Sequence, residues 1–323
     1  MKKLLALLLV GLVVLTAGCI GANSSPGSGA TSSELPTVRA ATLLGGISTL
    51  DIMQAKGFDE KNGFHVKVLR LGKTPDIIAS LKNGETDFAV IPAEMAAKLA
   101  QSGVDIKIIA VDMLQNQAII GKERMRPEEL KGRKIGAVVA SGTFKLFQAY
   151  MKVLYNVTPE DYTVVNVPPG SIEDSLRDVD AVVIWEPIAS ELMAKNYTVI
   201  ATFSELWDEA RAKGIVNGPA VMLVWVVRGD FLREHRDLVD AFIKAQEESA
   251  RYWKTNPGET KAILKNLYHL DQKALEILYT RTFVNEGKLD EGLILGIKSE
   301  WKLAYLGGYL EKDPSNLDIF YRG

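Results

Sequence analysis

The sequence reads SLKNGETDFAVIPAE at residues 80–94 and echoes this stretch as SLRDVDAVVIWEP at residues 175–187. Each copy contains the end of a helix, a turn, an aspartate, four apolar residues and a proline. A short continuous apolar run is typical of a strand buried on both faces of a parallel sheet. Ligands bind beyond the carboxyl ends of such strands. Two matching units therefore predict two α/β sheets whose binding ends face one cleft, and a chance echo is the alternative.

The composition is that of an ordinary globular protein. The chain has 323 residues, which is long enough for two domains, with 47% hydrophobic and 24% charged residues. Its net charge of −2 lacks the basic footprint that nucleic-acid binding normally needs. We therefore expect no nucleic-acid partner.

The N-terminus carries the features of an export signal. Two lysines follow Met1, and an apolar run over residues 4–17 is too short to span a bilayer comfortably. Small residues then precede Cys19, as in the lipoprotein signals of bacteria and archaea. The sequence thus predicts a signal peptide over residues 1–19 and a lipid on Cys19 that anchors the protein to the outer face of the cytoplasmic membrane. A plain secretory peptide is the alternative.

Cys19 is the only cysteine, so an intramolecular disulfide and a cysteine-rich zinc site are excluded. The three histidines, His65, His235 and His269, have no metal-site spacing. We therefore expect neither a metal nor a cofactor. Residues 20–36 are rich in glycine, serine and threonine, a composition that predicts a flexible tether between the anchor and the folded chain.

The order of several further landmarks resembles one family of proteins. These landmarks are GF at 57–58, NGF at 62–64, GETDFAV at 84–90, GVDIKIIA at 103–110, LKGRKIG at 130–136, WEP at 185–187 and VRGDFLREH at 227–235. The family is the nitrate, sulfonate, taurine and thiamine-pyrimidine group of solute-binding proteins that serve ABC importers. The resemblance covers about residues 38–256. It implies a small-molecule solute, an ABC permease as membrane partner, and a monomer.

The same resemblance implies a type II periplasmic-binding-protein fold, in which two α/β lobes are joined by two crossover strands with a ligand cleft between them. The sequence permits lobe one at residues 37–121 plus 218–323 and lobe two at residues 122–217. A turn signal at residues 217–219 precedes the long apolar run that would return the chain to lobe one. A core strand of one large sheet is the alternative interpretation of that run.

Two segments combine glycines and hydroxyl side chains where a helix is expected to begin. Bare backbone N–H groups and the positive end of a helix dipole suit an anionic or strongly polar ligand. Such segments are also how ordinary strand–helix turns are built. The candidate ligand-binding residues are Gly45, Gly46 and Ser48 in lobe one, and Ser141, Gly142 and Thr143 in lobe two.

Further candidates lie at predicted strand ends and near the second crossover. Trp185 offers a flat apolar face for a heterocycle or an alkyl chain, although it can also pack as core. Phe144 is a weaker aromatic candidate, and Asn217 is either a polar contact or a turn residue. The remaining candidates, all at strand ends, are Pro92, Ala93, Glu94 and Glu186.

Glu186 links the site to the chemistry of the solute. If its carboxylate points into a closed cleft, an amine-bearing ligand is favoured over a bare oxyanion, because a carboxylate repels an anion unless a cation neutralises it. If it caps the following helix, that constraint disappears. Both orientations remain open at this point.

The residues favour a binding protein over an enzyme. The sequence has no phosphate-binding loop and no Gly-x-Ser-x-Gly motif, and no histidine lies at a strand end that is predicted to face the cleft. The alternative is an enzyme on the same fold, a lyase or a precursor-synthesis enzyme such as those of the menaquinone and thiamine pathways. In such an enzyme Glu94 and Glu186 could act as acid and base.

Overall fold

The structure, a computed structural model, describes residues 34–323. Residues Leu35 to Gly323 form one compact unit. The predicted signal peptide, Cys19 and the tether up to residue 33 lie outside the described residues. No helix within residues 34–323 combines the length and the apolar character needed to cross a bilayer.

The strands of the described residues form two five-stranded sheets with the same plan. The first has the order β2-β1-β3-β10-β4 and the second β7-β6-β8-β5-β9. The strands of the first sheet are β1 (Thr37–Leu43), β2 (His65–Leu71), β3 (Phe88–Pro92), β4 (Ile106–Leu114) and β10 (Val221–Arg228). Those of the second are β5 (Ala118–Gly121), β6 (Lys134–Ala137), β7 (Thr163–Asn166), β8 (Ala181–Ile184) and β9 (Thr198–Thr202).

Each sheet has a parallel core and one inserted antiparallel strand. Strand β1 pairs in parallel with β2 and β3, and β6 pairs in parallel with β7 and β8. Strand β10 lies antiparallel between β3 and β4, and β5 lies antiparallel between β8 and β9. The two echoed stretches thus become the equivalent strands β3 and β8, and the prediction of two α/β sheets is confirmed.

Thirteen α-helices within residues 34–323 cover the sheets, together with short 3₁₀ turns. Those up to the second crossover are α1 (Leu50–Lys56), α2 (Phe58–Lys61), α3 (Thr74–Lys82), α4 (Ala93–Gln101), α5 (Gly142–Tyr155), α6 (Ile172–Ser175), α7 (Ile188–Ala194) and α8 (Phe203–Ala212). The rest are α9 (Gly229–Glu234), α10 (Arg236–Thr255), α11 (Pro257–Tyr268), α12 (Gln272–Arg281) and α13 (Glu291–Gly307).

Two parts of the predicted lobe division need correction. Residues 118–121, predicted in lobe one, form β5 and pair with strands of the second sheet, because this apolar strand fills the gap between β8 and β9. The C-terminal helices, also predicted in lobe one, contact both lobes. Helix α12 packs against α7, and α13 packs against both α4 and α5. Their apolar faces therefore join the cores of the two sheets.

Candidate functional site

A cleft lies between the carboxyl ends of the two sheets and consists of two connected cavities. The inner cavity has a volume of ≈ 50 Å³ and the outer cavity ≈ 750 Å³. They share a wall made by Leu43, Thr74, Ser141 and Trp185. Most of the inner wall is apolar and includes Ile47, Val90, Met113 and Met222. The shape and lining suit a small ligand with an apolar body and few polar groups.

The structure brings seven of the candidate residues to the inner cavity. Both lobes contribute to this set. They are Gly46 and Pro92 from the first lobe, and Ser141, Gly142, Thr143, Trp185 and Glu186 from the second.

The start of helix α5 lines this cavity, and within residues 34–323 its first backbone donors have no side-chain partner apart from the Ser141 cap. The Ser141 side chain caps the helix by accepting from the Phe144 N–H at 3.1 Å. The N–H groups of Gly142 and Thr143 belong to the first turn, where a helix cannot pair them internally. They lie at the positive end of a 14-residue helix whose dipole supplies roughly half a charge. This end of the cavity therefore attracts an anion.

The equivalent prediction for lobe one is wrong at helix α1, because two buried carboxylates already occupy its start. The Thr49 N–H donates to Asp112 at 3.1 Å and its hydroxyl donates to the same oxygen. The Ser48 N–H donates to Asp51 at 3.3 Å, and the Ser48 hydroxyl accepts from the Leu50 N–H. Ser48 therefore does not line the cavity. Gly45 is a turn residue with φ +74° and also lies outside the cavity wall.

In lobe one the helix that begins at the cavity wall is α3, not α1 as predicted. Its first residue, Thr74, lines both cavities, and the preceding Lys73 lines the outer one. The outer cavity also contains Lys145 of α5, so each lobe contributes a lysine to it. Burial and the nearby Lys98 lower the pKa of Lys145.

Three other candidates are held by structural contacts away from the cavity. The Ala93 carbonyl accepts from the indole of Trp301 at 2.8 Å. Phe144 is buried in the core of the second lobe. The Asn217 N–H donates to the Ser299 hydroxyl at 3.0 Å, and Asn217 lines a separate surface pocket. None of these three residues lines the inner or the outer cavity.

Glu94 is the remaining candidate, and its carboxyl does not belong to the cavity wall. It is 1% exposed and contacts the equally buried Glu300 of α13. Its backbone lies in the first turn of α4, and its side chain lines neither the inner nor the outer cavity. The acid–base role that the enzyme alternative gives to Glu94 therefore has no geometric support.

Glu186 lines the inner cavity. Its carboxylate caps helix α7 and is neutralised by Arg281. One of its oxygens accepts from the Ser190 N–H of α7 at 2.9 Å, and the other accepts from Arg281 Nε at 2.8 Å. Burial raises the pKa of Glu186, and the positive charge of Arg281 opposes that rise. The orientation left open by the sequence is thus the capping one, and Arg281 removes the repulsion toward an anion.

Two residues of the site were missed by sequence reasoning. Arg281, at the end of α12, also donates to the Asn116 carbonyl at 2.9 Å. Asn116 lies in the crossover between β4 and β5, lines the inner cavity, and has a buried Oδ1 without a partner in the described residues. No local pattern marks either residue. Within residues 34–323 there is no group of three or more side chains able to hold a metal ion.

Comparison with known proteins places this geometry in context. The family model described as NMT1/THI5 like matches residues 50–260. A Bacillus subtilis protein named "Putative aliphatic sulfonates-binding protein" is 27% identical over 297 residues, which cover 87% of this chain and 83% of that protein. The taurine-binding periplasmic protein of Escherichia coli is 24% identical over 62% of this chain. That match spans 61% of the Escherichia coli protein, less than two thirds of its length.

An enzyme and a solved structure are also similar to the chain. The 4-amino-5-hydroxymethyl-2-methylpyrimidine phosphate synthase of Schizosaccharomyces pombe is 19% identical over 65% of this chain and 62% of the enzyme. The alkanesulfonate-binding protein SsuA of Xanthomonas axonopodis, bound to MOPS, superposes with a TM-score of 0.73. At 15% identity it covers 90% of this chain and 100% of that structure. This likeness confirms the predicted two-lobed binding-protein fold.

Proposed function

The chain belongs to the NMT1/THI5-like family, and from this membership we propose that it is the extracytoplasmic solute-binding protein of an ABC importer. It acts as a monomer that captures a small solute between its lobes and delivers it to a membrane permease. Closure is a hinge motion in which the bound solute stabilises the shut form. The solute has an anionic head and a compact apolar body.

One observation carries the choice of an anion. The carboxylate that lines the inner cavity, Glu186, is neutralised by Arg281 at 2.8 Å, while the free N–H groups at the start of α5 face the same space. Charge-assisted hydrogen bonds from such donors favour an oxyanion. The apolar wall and Trp185 suit a short alkyl or aromatic body. The names of the taurine- and sulfonate-binding relatives agree with this class.

An enzymatic role is the weaker alternative. Its main support is the similarity to a pyrimidine phosphate synthase. The sequence identity to that enzyme, 19%, is lower than the 24% and 27% identity to the two binding proteins. Because Glu94 lies behind the cavity wall and Glu186 is held by Arg281, the two carboxylates are poorly placed to act as an acid–base pair on one ligand. We therefore propose binding without catalysis.

A thermal-shift screen of the purified protein tests this function. We expect alkanesulfonates or taurine to raise the melting temperature, and aminopyrimidines without an acidic group to leave it unchanged. A ligand at about one hundred times its dissociation constant stabilises by about 2.7 kcal/mol, which is readily measured. Nitrate and bicarbonate serve as anions without an apolar body. A selective response to uncharged amines would contradict the anion assignment.

We propose further that Cys19 carries the lipid that holds the protein at the outer face of the cytoplasmic membrane. Replacing it, as Cys19→Ser, is expected to move the protein from the membrane fraction to the medium or periplasm, because the modified thiol is lost. Fractionation followed by immunoblotting measures this change. The matched control is Ser24→Ala in the adjacent tether. Retention of Cys19→Ser in washed membranes would contradict the anchor.

A further inference from the structure

A pair of buried carboxyl groups lies directly behind the anion end of the cavity. Glu94 is in the first turn of α4, and Glu300 is in α13. Their exposed fractions are 1% and 0%. Within residues 34–323, Oε1 of Glu94 and both oxygens of Glu300 accept from no donor of another residue, and the two carboxyl groups lie within hydrogen-bond reach of each other. Such orphaned buried oxygens are unusual and need a physical explanation.

A shared proton explains this arrangement. Burial raises the pKa of both groups, and the neighbouring charge of Glu94 raises that of Glu300 further. Two contacting carboxylates in a dry environment cannot both be ionised without a large free-energy cost. The pair therefore holds at least one proton near neutral pH, and its remaining charge is sensitive to any new charge close by.

The pair touches the same helix terminus that faces the solute. An ideal Cβ built on Gly142 would lie 2.3 Å from Glu94 Oε1, so that oxygen packs directly against the first residue of α5. Gly142 and Pro92 both line the inner cavity. A solute anion and an ionised Glu94 would thus compete for one helix dipole at short range.

The other titratable groups near the pair do not neutralise its negative charge. Tyr150 of α5 and Tyr309, which follows α13, have raised pKa values through burial and the nearby carboxyls, so both stay neutral. Lys98 of α4 lies 4.5 Å from the centre of the Tyr309 ring. Lys145 of α5 faces the outer cavity. Since no lysine of the described residues donates to either oxygen of Glu300, neither lysine neutralises it.

From this geometry we infer that capture of an anionic solute is coupled to uptake of a proton by the Glu94–Glu300 pair. The inference rests on the proposed anion-binding function. The solute brings negative charge to the start of α5, and Glu94 takes a proton from solvent to relieve the repulsion. Linkage is reciprocal, so the same coupling makes the solute bind more tightly when the pair is protonated. Affinity therefore falls as pH rises through the titration of the pair.

Calorimetric titration of the full protein with ethanesulfonate tests the coupling. At pH 7.5 the binding heat is measured in triethanolamine and in Tris, two cationic buffers whose ionisation enthalpies differ, and the difference gives the protons taken up. We expect net uptake of up to about one proton per anion, and an affinity that falls by up to about tenfold for each pKa unit of coupling as pH rises from about 6 to 9.

Two isosteric variants assign the proton to this pair. Glu94→Gln removes the group that takes the proton, so it is expected to abolish proton uptake and to flatten the pH dependence. Glu300→Gln leaves the buried Glu94 able to take a proton, so it is expected to change the pH range of the uptake rather than abolish it. The control Glu247→Gln alters another glutamate with a raised pKa, on α10 and outside the cleft, and should keep both effects. Equal heats in the two buffers with normal affinity would overturn the coupling while leaving the anion-binding function intact. Absence of binding would overturn both.

Discussion

Replacing Arg281 with glutamine is expected to destabilise the protein by about 3–5 kcal/mol at pH 8 and to weaken anion binding at least tenfold. Arg281 supplies the positive charge beside Glu186, whose side chain is 1% exposed, and it also binds the Asn116 carbonyl. Removing one partner of a buried ion pair leaves an uncompensated charge, which gives the size of the stability loss. The bared carboxylate then repels the solute in the inner cavity.

The pH dependence of this loss has a definite sign. Without Arg281, burial raises the folded-state pKa of Glu186 further above its ordinary value, because the opposing positive charge is gone. The folded variant then binds a proton more readily than the unfolded chain, so its stability falls as pH rises. The difference from wild type should therefore be largest at alkaline pH and shrink below the ordinary glutamate pKa, where Glu186 is protonated in both states.

Denaturant unfolding and calorimetry measure both effects. The double variant Glu186→Gln/Arg281→Gln removes the buried charge entirely and should recover most of the stability and affinity. The control Arg177→Gln removes an arginine that is 82% exposed and should change stability by less than about 1 kcal/mol. Wild-type affinity in Arg281→Gln would show that Glu186 carries no charge relevant to the solute.

The sheets were predictable because their signal is local. Residues 88–91 and 181–184 are short, continuous apolar runs, and all of them are buried in β3 and β8. The proline after each run correctly marks the point where a helix or turn begins. These features depend on neighbouring residues alone. The strand ends predicted from them are therefore correct. Pro92 and Trp185, which lie at these ends, line the inner cavity.

The helix start in lobe one was misassigned for a tertiary reason. Residues 45–49 and 140–143 both combine glycine with one serine and one threonine, yet within residues 34–323 only the second segment keeps backbone donors without a side-chain partner. In the first, Asp112 reaches Thr49 from a strand 63 positions later in the chain and takes its donors. No pattern in a single sequence shows which carboxylate will fill a given helix start.

The role of Arg281 and the contacts of the C-terminal helices with both lobes escaped prediction for a similar reason. The contact between Arg281 and Glu186 joins residues 95 positions apart, and α12 appears in the sequence only as an ordinary amphipathic helix. Helix α12 packs on α7 of the second lobe. This contact places Arg281 beside Glu186, and it also brings α12 into contact with the second lobe. The sequence allowed two orientations of Glu186, and the long-range contact with Arg281 determines which of them the structure has.

Replacing Gly142 with alanine is expected to weaken anion binding by at least tenfold while leaving the unliganded protein folded. The added Cβ would lie 2.3 Å from Glu94 Oε1 and 2.7 Å from the Pro92 ring, both in the opposite lobe. Contacts this short force a displacement. Pro92 ends a buried strand and yields little, so the start of α5 must move away and the cleft cannot close fully. Overpacking of this kind costs about 1–3 kcal/mol.

The expected loss of affinity comes from incomplete closure of the cleft, not from a weaker helix α5. Gly142 does not have a positive φ, so alanine fits the backbone, and alanine is the better helix former. Circular dichroism and the unliganded melting temperature should therefore change little, while calorimetry with ethanesulfonate shows the reduced affinity. Gly170→Ala is the matched control, because no atom lies within 4 Å of its added Cβ. If Gly142→Ala binds as tightly as wild type, then the ligand-bound lobes are further apart than in this structure, and the competition between Glu94 and the solute for α5 loses its geometric basis.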